Sequence, residues 1–187
     1  MIEREKEVKV FNLDLDALKE ELLSKGAEHL GEEKQVNYIL KCDIDAKTNL
    51  LKSLLRLREV DKDGKKTFYL TYKIRGKDSG GLRNSKEVTS EVKDKDAILE
   101  IFEMLGIIPE KVDYKERDSY LYKDARFDFD EYDKETFDRP YLEIEVKNDE
   151  KLEEIIREFN IERKNITTKN INELRKDQRW NLLKIML

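Results

Sequence analysis

The chain has 187 residues, 43% of them charged, with 38 Lys and Arg against 43 Asp and Glu and a formal net charge of -5. An acidic excess speaks against a general nucleic-acid binder, which would be basic overall. A single cysteine, Cys42, excludes an intrachain disulfide and a thiolate metal cluster, and a single histidine, His29, excludes a histidine-clustered zinc site.

The first element is the stretch "EREKEVKVF", Glu3 to Phe11, where strand alternation puts Glu5, Glu7 and Lys9 on one face and Lys6, Val8 and Val10 on the other. "LDLDALKEELLSKG" follows with Leu15, Leu18 and Leu22 at helical spacing, an aspartate near its start and Gly26 beyond its end, predicting a helix over 14–25. Alternating segments then predict strands over 33–43, 52–61, 65–76 and 84–93, divided by turn signals such as "KDGK" and "KDSGG". "DKDAILEIFEMLG" predicts a second helix, capped by Asp94 or Asp96, with Ile98, Phe102 and Leu105 as its buried stripe. Strands over 111–122, 125–133 and 140–147 complete eight. The tail carries a helix with Leu152, Ile155, Ile156 and Phe159 on one stripe, then a weaker helical pattern from about Asn170. Cys42 reads as packing and His29 as a loop bystander.

The polar faces of these strands are sorted by sign. Arg56 and Arg58, Lys73 and Arg75, and Lys115 and Arg117 are basic pairs; Glu5 and Glu7, Glu87 and Glu91, Asp128 and Asp130, and Glu143 and Glu145 are acidic pairs. Any one pair is explained by a solvated strand face. Seven of eight strands showing it is harder to explain that way, because like charges on one face repel and a soluble surface intersperses signs. Neighbouring basic strands, bound cations or a bound polyanion would each compensate. Eight mostly antiparallel strands can close into a barrel whose apolar side lies under the helices and whose charged side lines the lumen. The expected class is therefore α+β: one domain over 1–187, an eight-stranded antiparallel β-barrel over about 2–147 with flanking helices, and C-terminal helices over about 149–187.

"EKEVK" matches the ExExK signature of the CYTH superfamily, the triphosphate tunnel metalloenzymes that include class IV adenylyl cyclases and thiamine triphosphatases. The order of later segments strengthens the resemblance to a bacterial branch of that family. "QVNYIL" resembles its "QxNYYF", "LLRLRE" its "ALRIRE", "LTYKIRG" its "LTLK" strand, "YKERDSY" its "KxR" strand, "FDFDEYD" its aspartate-bearing strand and "YLEIEV" its "FVEIE". The chain departs from the family at "YILKCD", at "FDRPYLEIE" and in lacking a C-terminal "SY".

The resemblance implies a tunnel that binds a triphosphate-containing small molecule with Mg2+ or Mn2+. It implies Glu5, Glu7, Glu143 and Glu145 as metal ligands, with Asp130 a further contributor, and Lys9, Arg56, Arg58, Lys73, Arg75, Lys115 and Arg117 as phosphate-gripping groups. Lys9, Glu87 and Glu91 are the residues it places at the catalytic step. One of the two glutamates orders a metal-bound water, or both only anchor basic residues. The implied activity is metal-dependent hydrolysis of an inorganic or organic triphosphate. A class IV adenylyl cyclase, making cyclic AMP and pyrophosphate from ATP, and a non-catalytic triphosphate-binding module are the alternatives. No nucleic-acid polymer or membrane is expected as a partner, a cytoplasmic location is, and a homodimer through tail residues such as Trp180 stays open.

Overall fold

A computed structural model describes residues 2–41, 53–76 and 81–176. Eight strands form a closed antiparallel barrel: β1 (Ile2–Val10), β2 (Glu28–Lys41), β3 (Ser53–Lys62), β4 (Lys65–Arg75), β5 (Arg83–Val92), β6 (Ile108–Tyr122), β7 (Ala125–Tyr132) and β8 (Tyr141–Glu145). The sheet runs β5-β4-β3-β2-β6-β7-β8-β1, and β1 closes it by pairing with β5. A two-residue strand, β9 (Ile166–Thr167), takes the edge of β1 beyond the end of β5. Helices α1 (Leu15–Ser24), α2 (Lys95–Met104) and α3 (Asp149–Glu158) lie outside, and a further helical segment over 171–176, capped by Asn170, agrees with the helical pattern expected there.

Local chemistry sets these boundaries. Asp14, Asp94 and Asn148 each accept a hydrogen bond from the backbone N–H three residues on, capping α1, α2 and α3 in turn. The β3–β4 hairpin turns at Asp63 and Gly64, both at positive φ, as a two-residue turn matched to strand twist requires. Lys123 and Asp124 do the same between β6 and β7.

The hydrophobic core is outside the barrel. Val8 and Val10 of β1, Tyr120 and Tyr122 of β6, Phe127 and Phe129 of β7, and Leu142 and Ile144 of β8 turn outward. There they meet Leu18 and Leu22 of α1, Leu152, Ile155 and Ile156 of α3, and Phe159 and Ile161. Each fully buried Leu, Ile or Phe contributes about 1.5–3 kcal/mol relative to exposure, so this coat holds the wall. With apolar residues outward, strand alternation sends the charged residues of the same strands inward.

The barrel, α1 and α3 agree with the sequence expectation, and Asp94 rather than Asp96 is the cap of α2. Several ends differ. β2 begins at Glu28 and β6 at Ile108, because the two strands pair along nearly their whole lengths, and β5 begins at Arg83. The expected stripe of α2 is only half covered among the described residues: Ile98 and Phe102 are partly buried and Leu105 is 68% exposed. His29 is not a bystander. Its ring stacks on Tyr120 and bonds Asp118 on the outer face. Cys42 and Trp180 lie outside the described residues. No described helix is long and apolar enough to cross a membrane.

Candidate functional site: a lumen with a basic and an acidic half

The sign sorting extends from single strands to the whole wall. Going round the barrel, β4, β3, β2 and β6 are contiguous and carry Lys73 and Arg75, Arg56 and Arg58, the neutral Gln35 and Asn37 with Glu33, and Lys115 and Arg117 with Asp113. The remaining four, β7, β8, β1 and β5, carry Asp128 and Asp130, Glu143 and Glu145, Glu5 and Glu7, and Glu87. One half of the lumen is basic and the other acidic.

Ion pairs concentrate where the halves meet. At the β4/β5/β1 side, Lys73 Nζ lies 2.6 Å from both Glu5 Oε2 and Glu87 Oε1. Burial opposes its protonation, but Glu7, Glu5 and Glu87 outweigh burial and hold its pKa above the ordinary lysine value. Burial also pushes the Glu5 carboxyl up to about 7, with Lys73 opposing the rise and Glu87 and Glu7 adding to it. Glu87 is likewise penalised by burial, yet Lys73 and Arg56 bring it below the usual range.

At the β6/β7 side, Arg117 donates from Nε to Asp130 Oδ1 at 2.6 Å and from Nη2 to Asp130 Oδ2 at 2.7 Å, while Nη1 lies 2.6 Å from Asp128 Oδ2. Such bidentate pairs are the strong, geometrically fixed ones. Lys115 and the Tyr141 hydroxyl also donate to Asp130 Oδ2, at 2.9 and 3.1 Å. Burial penalises Asp130, but Arg117 and Lys115 keep its carboxyl below the ordinary aspartate value. Burial and then Arg117 bring Lys115 down to about 8, against the pull of Asp130.

Away from these junctions the charges are less compensated. Within the acidic half, Lys9 Nζ donates to Glu143 Oε2 at 2.6 Å; burial opposes ionisation of Glu143, but Lys9, Arg117 and Lys115 together hold it well below the usual carboxylate range. Glu7 and Glu145 are held less closely: Glu7 Oε1 lies 3.6, 3.7 and 3.9 Å from Arg83 Nε, Lys9 Nζ and Lys73 Nζ. The two glutamates are in direct register across β1 and β8, and neither accepts a hydrogen bond from a described residue. Burial, then Asp128, raises the Glu145 carboxyl above its ordinary value. In the basic half, Arg56 Nε is buried without a hydrogen-bond partner among the described residues, and Arg58 Nε donates to a neutral acceptor, Asn37 Oδ1. A cavity of about 580 Å³ opens beside these two arginines, walled by Val60, Thr67, Tyr69 and Thr71 and ending at Lys62 and Lys65.

The lumen thus brings together Glu5, Glu7, Lys9, Arg56, Arg58, Lys73, Glu87, Lys115, Arg117, Asp130, Glu143 and Glu145. Glu91 is exposed, opposite Tyr69 on a part of β5 that extends past β1. Arg75 is at the other end, its Nη1 donating to both oxygens of Glu173 at 2.9 and 3.0 Å. No group of three or more described carboxylate, histidine or cysteine side chains is arranged to hold a metal ion by itself. The donor chemistry still fits a hard divalent cation. Magnesium takes one or two protein carboxylates and completes its shell with water and substrate phosphate, and Glu7 with Glu145 is such a pair.

Sequence reasoning missed Arg83, Arg126, Asn37 and Asp113. Arg83 stands opposite Glu7 with Nε 3.6 Å from Oε1, on the face of Ser85 and Glu87; starting β5 one residue earlier would have found it. Arg126 closes on Asp128 and Ser119 at 2.8 and 3.2 Å, and its alternation with Asp128 and Asp130 was a usable signal. Asn37 lies in the "QVNYIL" segment that resembles the family's "QxNYYF", a usable signal, whereas Asp113 carried none, since what joins it to Asn37 is interstrand register.

The sequence model of the CYTH domain matches residues 3–176. No curated protein matches the chain. Among solved structures, the PH1012 protein of Pyrococcus horikoshii is 24% identical with a TM-score of 0.73, covering 90% of this chain and 98% of that one. A candidate adenylate cyclase of Vibrio parahaemolyticus is 14% identical with a TM-score of 0.72, covering 92% and 97%. A Hippeastrum protein described as a candidate adenylyl cyclase with a dominant triphosphatase activity is 19% identical with a TM-score of 0.61, covering 86% and 89%. These likenesses are of fold.

Proposed function

Because this chain belongs to the CYTH domain family, we propose that its lumen binds a triphosphate and, with a divalent cation, hydrolyses it. The observation that carries this reading is the placement of the charges that no oppositely charged group hydrogen-bonds. Arg56 and Arg58 in the middle of the basic half suit phosphate oxygens, and Glu7 with Glu145 in the middle of the acidic half suits Mg2+ or Mn2+.

A triphosphate lying between the halves meets both. Arg56 and Arg58 bind its oxygens from the cavity side, and Lys73, Lys115 and Arg117 add positive charge from the two junctions. Phosphoryl transfer spreads charge over three equatorial oxygens, so the work of these residues is positioning and charge complementarity rather than covalent chemistry. A cation held by Glu7 and Glu145 would supply Lewis-acid polarisation of a phosphate oxygen. Lys9, held by Glu143, is oriented beside that pair and donates to the same phosphate. Asp130 is assigned to the wall as the counter-ion of Lys115 and Arg117. Glu5 and Glu87 hold Lys73. Attack of water on the terminal phosphorus forms one P–O bond and breaks the bridging one, releasing orthophosphate.

A second reading draws support from the cavity. Its neutral stretch at Val60 and Thr67 lies beyond the arginines, with Tyr69 opposite Arg58, and has room for an organic group, which favours an organic triphosphate and keeps the cyclase reaction on ATP in play. One experiment tests both. Purified protein is incubated with tripolyphosphate, thiamine triphosphate or ATP, with and without Mg2+ or Mn2+, and products are identified. Metal-dependent orthophosphate release supports hydrolysis, cyclic AMP with pyrophosphate replaces it by cyclisation, and binding without turnover removes the enzyme assignment.

A further inference from the structure

Arg58 and Arg117 are both lumen arginines, but they are held in opposite ways. Arg117 is clamped by two carboxylates, Asp128 and Asp130. Arg58 Nε instead donates to Asn37 Oδ1 at 2.7 Å, and Asn37 Nδ2 donates to Asp113 Oδ1 at 2.9 Å. The three residues form one row across β3, β2 and β6, since Asn37 is in register with Arg58 on one side and Asp113 on the other. Asn37 is 2% exposed and Asp113 6%.

The chemistry of the row permits one arrangement. A guanidinium only donates and an ionised carboxylate only accepts, so Asn37 must turn its oxygen to Arg58 and its amide nitrogen to Asp113. Flipping it would set a donor against a donor and an acceptor against an acceptor, both buried. The Asp113 charge polarises the amide from the far side and strengthens its oxygen as an acceptor. That charge also stays one residue away from the guanidinium, which therefore remains available to an anion. We infer that Asn37 and Asp113 are positioning residues that aim Arg58 into the lumen without neutralising it. The role rests on the proposed triphosphate site, and its geometry can be tested apart from that site. Burial together with Arg56 and Arg117 brings Arg58 down to about 10, with Tyr132 and Glu33 only partly opposing the fall.

The test follows the Arg58 Nε–H by proton–nitrogen NMR in the full chain, assigned by its loss in Arg58→Lys, alongside calorimetric titration with tripolyphosphate. In the wild type the proton should exchange slowly with solvent. Asn37→Leu should abolish that protection and weaken tripolyphosphate binding roughly tenfold to a hundredfold, as loss of a hydrogen bond to a charged group implies. Asp113→Asn keeps an acceptor for the Asn37 amide and should retain the protected signal, whereas Asp113→Leu should lose it. A wild-type Arg58 proton exchanging at the solvent rate overturns the inference, as do unchanged exchange and affinity in Asn37→Leu. If Asn37→Leu does not fold, the contrast between the two Asp113 variants decides. A wild type that binds no tripolyphosphate removes the proposed ligand, and the Arg58 exchange still decides whether the row holds the guanidinium.

Discussion

Glu7 and Glu145 stand opposite each other across β1 and β8 on the lumen face, and no described cation comes nearer to Glu7 than Arg83 Nε at 3.6 Å. Glu7 is buried and Glu145 half-buried, and like charges in direct register repel, so the protein without a bound cation carries a local electrostatic cost that Arg83, Lys9 and Lys73 near Glu7 only partly offset. Mg2+ or Mn2+ should raise the melting temperature of the wild type and leave that of the Glu7→Gln/Glu145→Gln variant unmoved. Thermal melts with the metal or with chelator check this. An equal metal-induced shift in both proteins would remove these two residues as ligands.

The same pair predicts a pH trend in chelator. Burial and Asp128 raise the folded pKa of Glu145 above its unfolded value, so ionising it disfavours the fold. Glu145→Gln should match the wild type in stability at low pH and gain on it as pH rises past the usual glutamate value of about 4.3. Denaturant midpoints from pH 4 to 8 measure the difference, and a gain that shrinks with rising pH contradicts the assignment.

Asp118 carries the opposite sign. Burial raises its carboxyl, but hydrogen bonds from Lys19 and His29 lead the groups that bring it below the ordinary aspartate value. Its stabilising contribution is full above the unfolded value of about 3.9 and is lost as pH falls through the lower folded value. Asp118→Asn should lower the melting temperature by a few degrees at pH 7, and that difference should close in acid.

Arg56→Ala should weaken tripolyphosphate binding more than orthophosphate binding, because a longer anion engages more of the cation array. Calorimetry with both anions measures the two losses. Equal losses would argue that the basic half does not act as an array.

Glu173 occupies Arg75 with both carboxylate oxygens and is itself held by the backbone N–H of Asn170 at 2.7 Å. Glu173→Gln removes an anionic competitor at the end of the basic half. Triphosphate affinity should rise a few-fold, on the scale of an exposed ion pair. A fall in affinity would mean that this contact supports the lumen rather than competing with its ligand.

Much of this was readable because strand alternation has a period of two. Phe127 and Phe129 against Asp128 and Asp130, or Leu142 and Ile144 against Glu143 and Glu145, announce an apolar side and a charged side without any coordinates. Interstrand register was not readable. That Glu7 meets Glu145, or that Arg58, Asn37 and Asp113 share a row, follows from how strands far apart in sequence align. Arg83 was lost to a one-residue error in a strand end, where propensity is weakest. Glu91 looked equivalent to Glu87 because they share a face, yet β5 outruns β1 and leaves Glu91 exposed. The stripe of α2 was legible as a pattern, but amphipathicity does not say how completely a neighbour covers it.

The apolar coat and the charged lumen use alternate residues of the same strands, with the coat packed against α1 and α3. Substrate preference can therefore drift by exchanging inward side chains while every outward one stays in place. A barrel built this way separates the freedom to change chemistry from the obligation to remain folded.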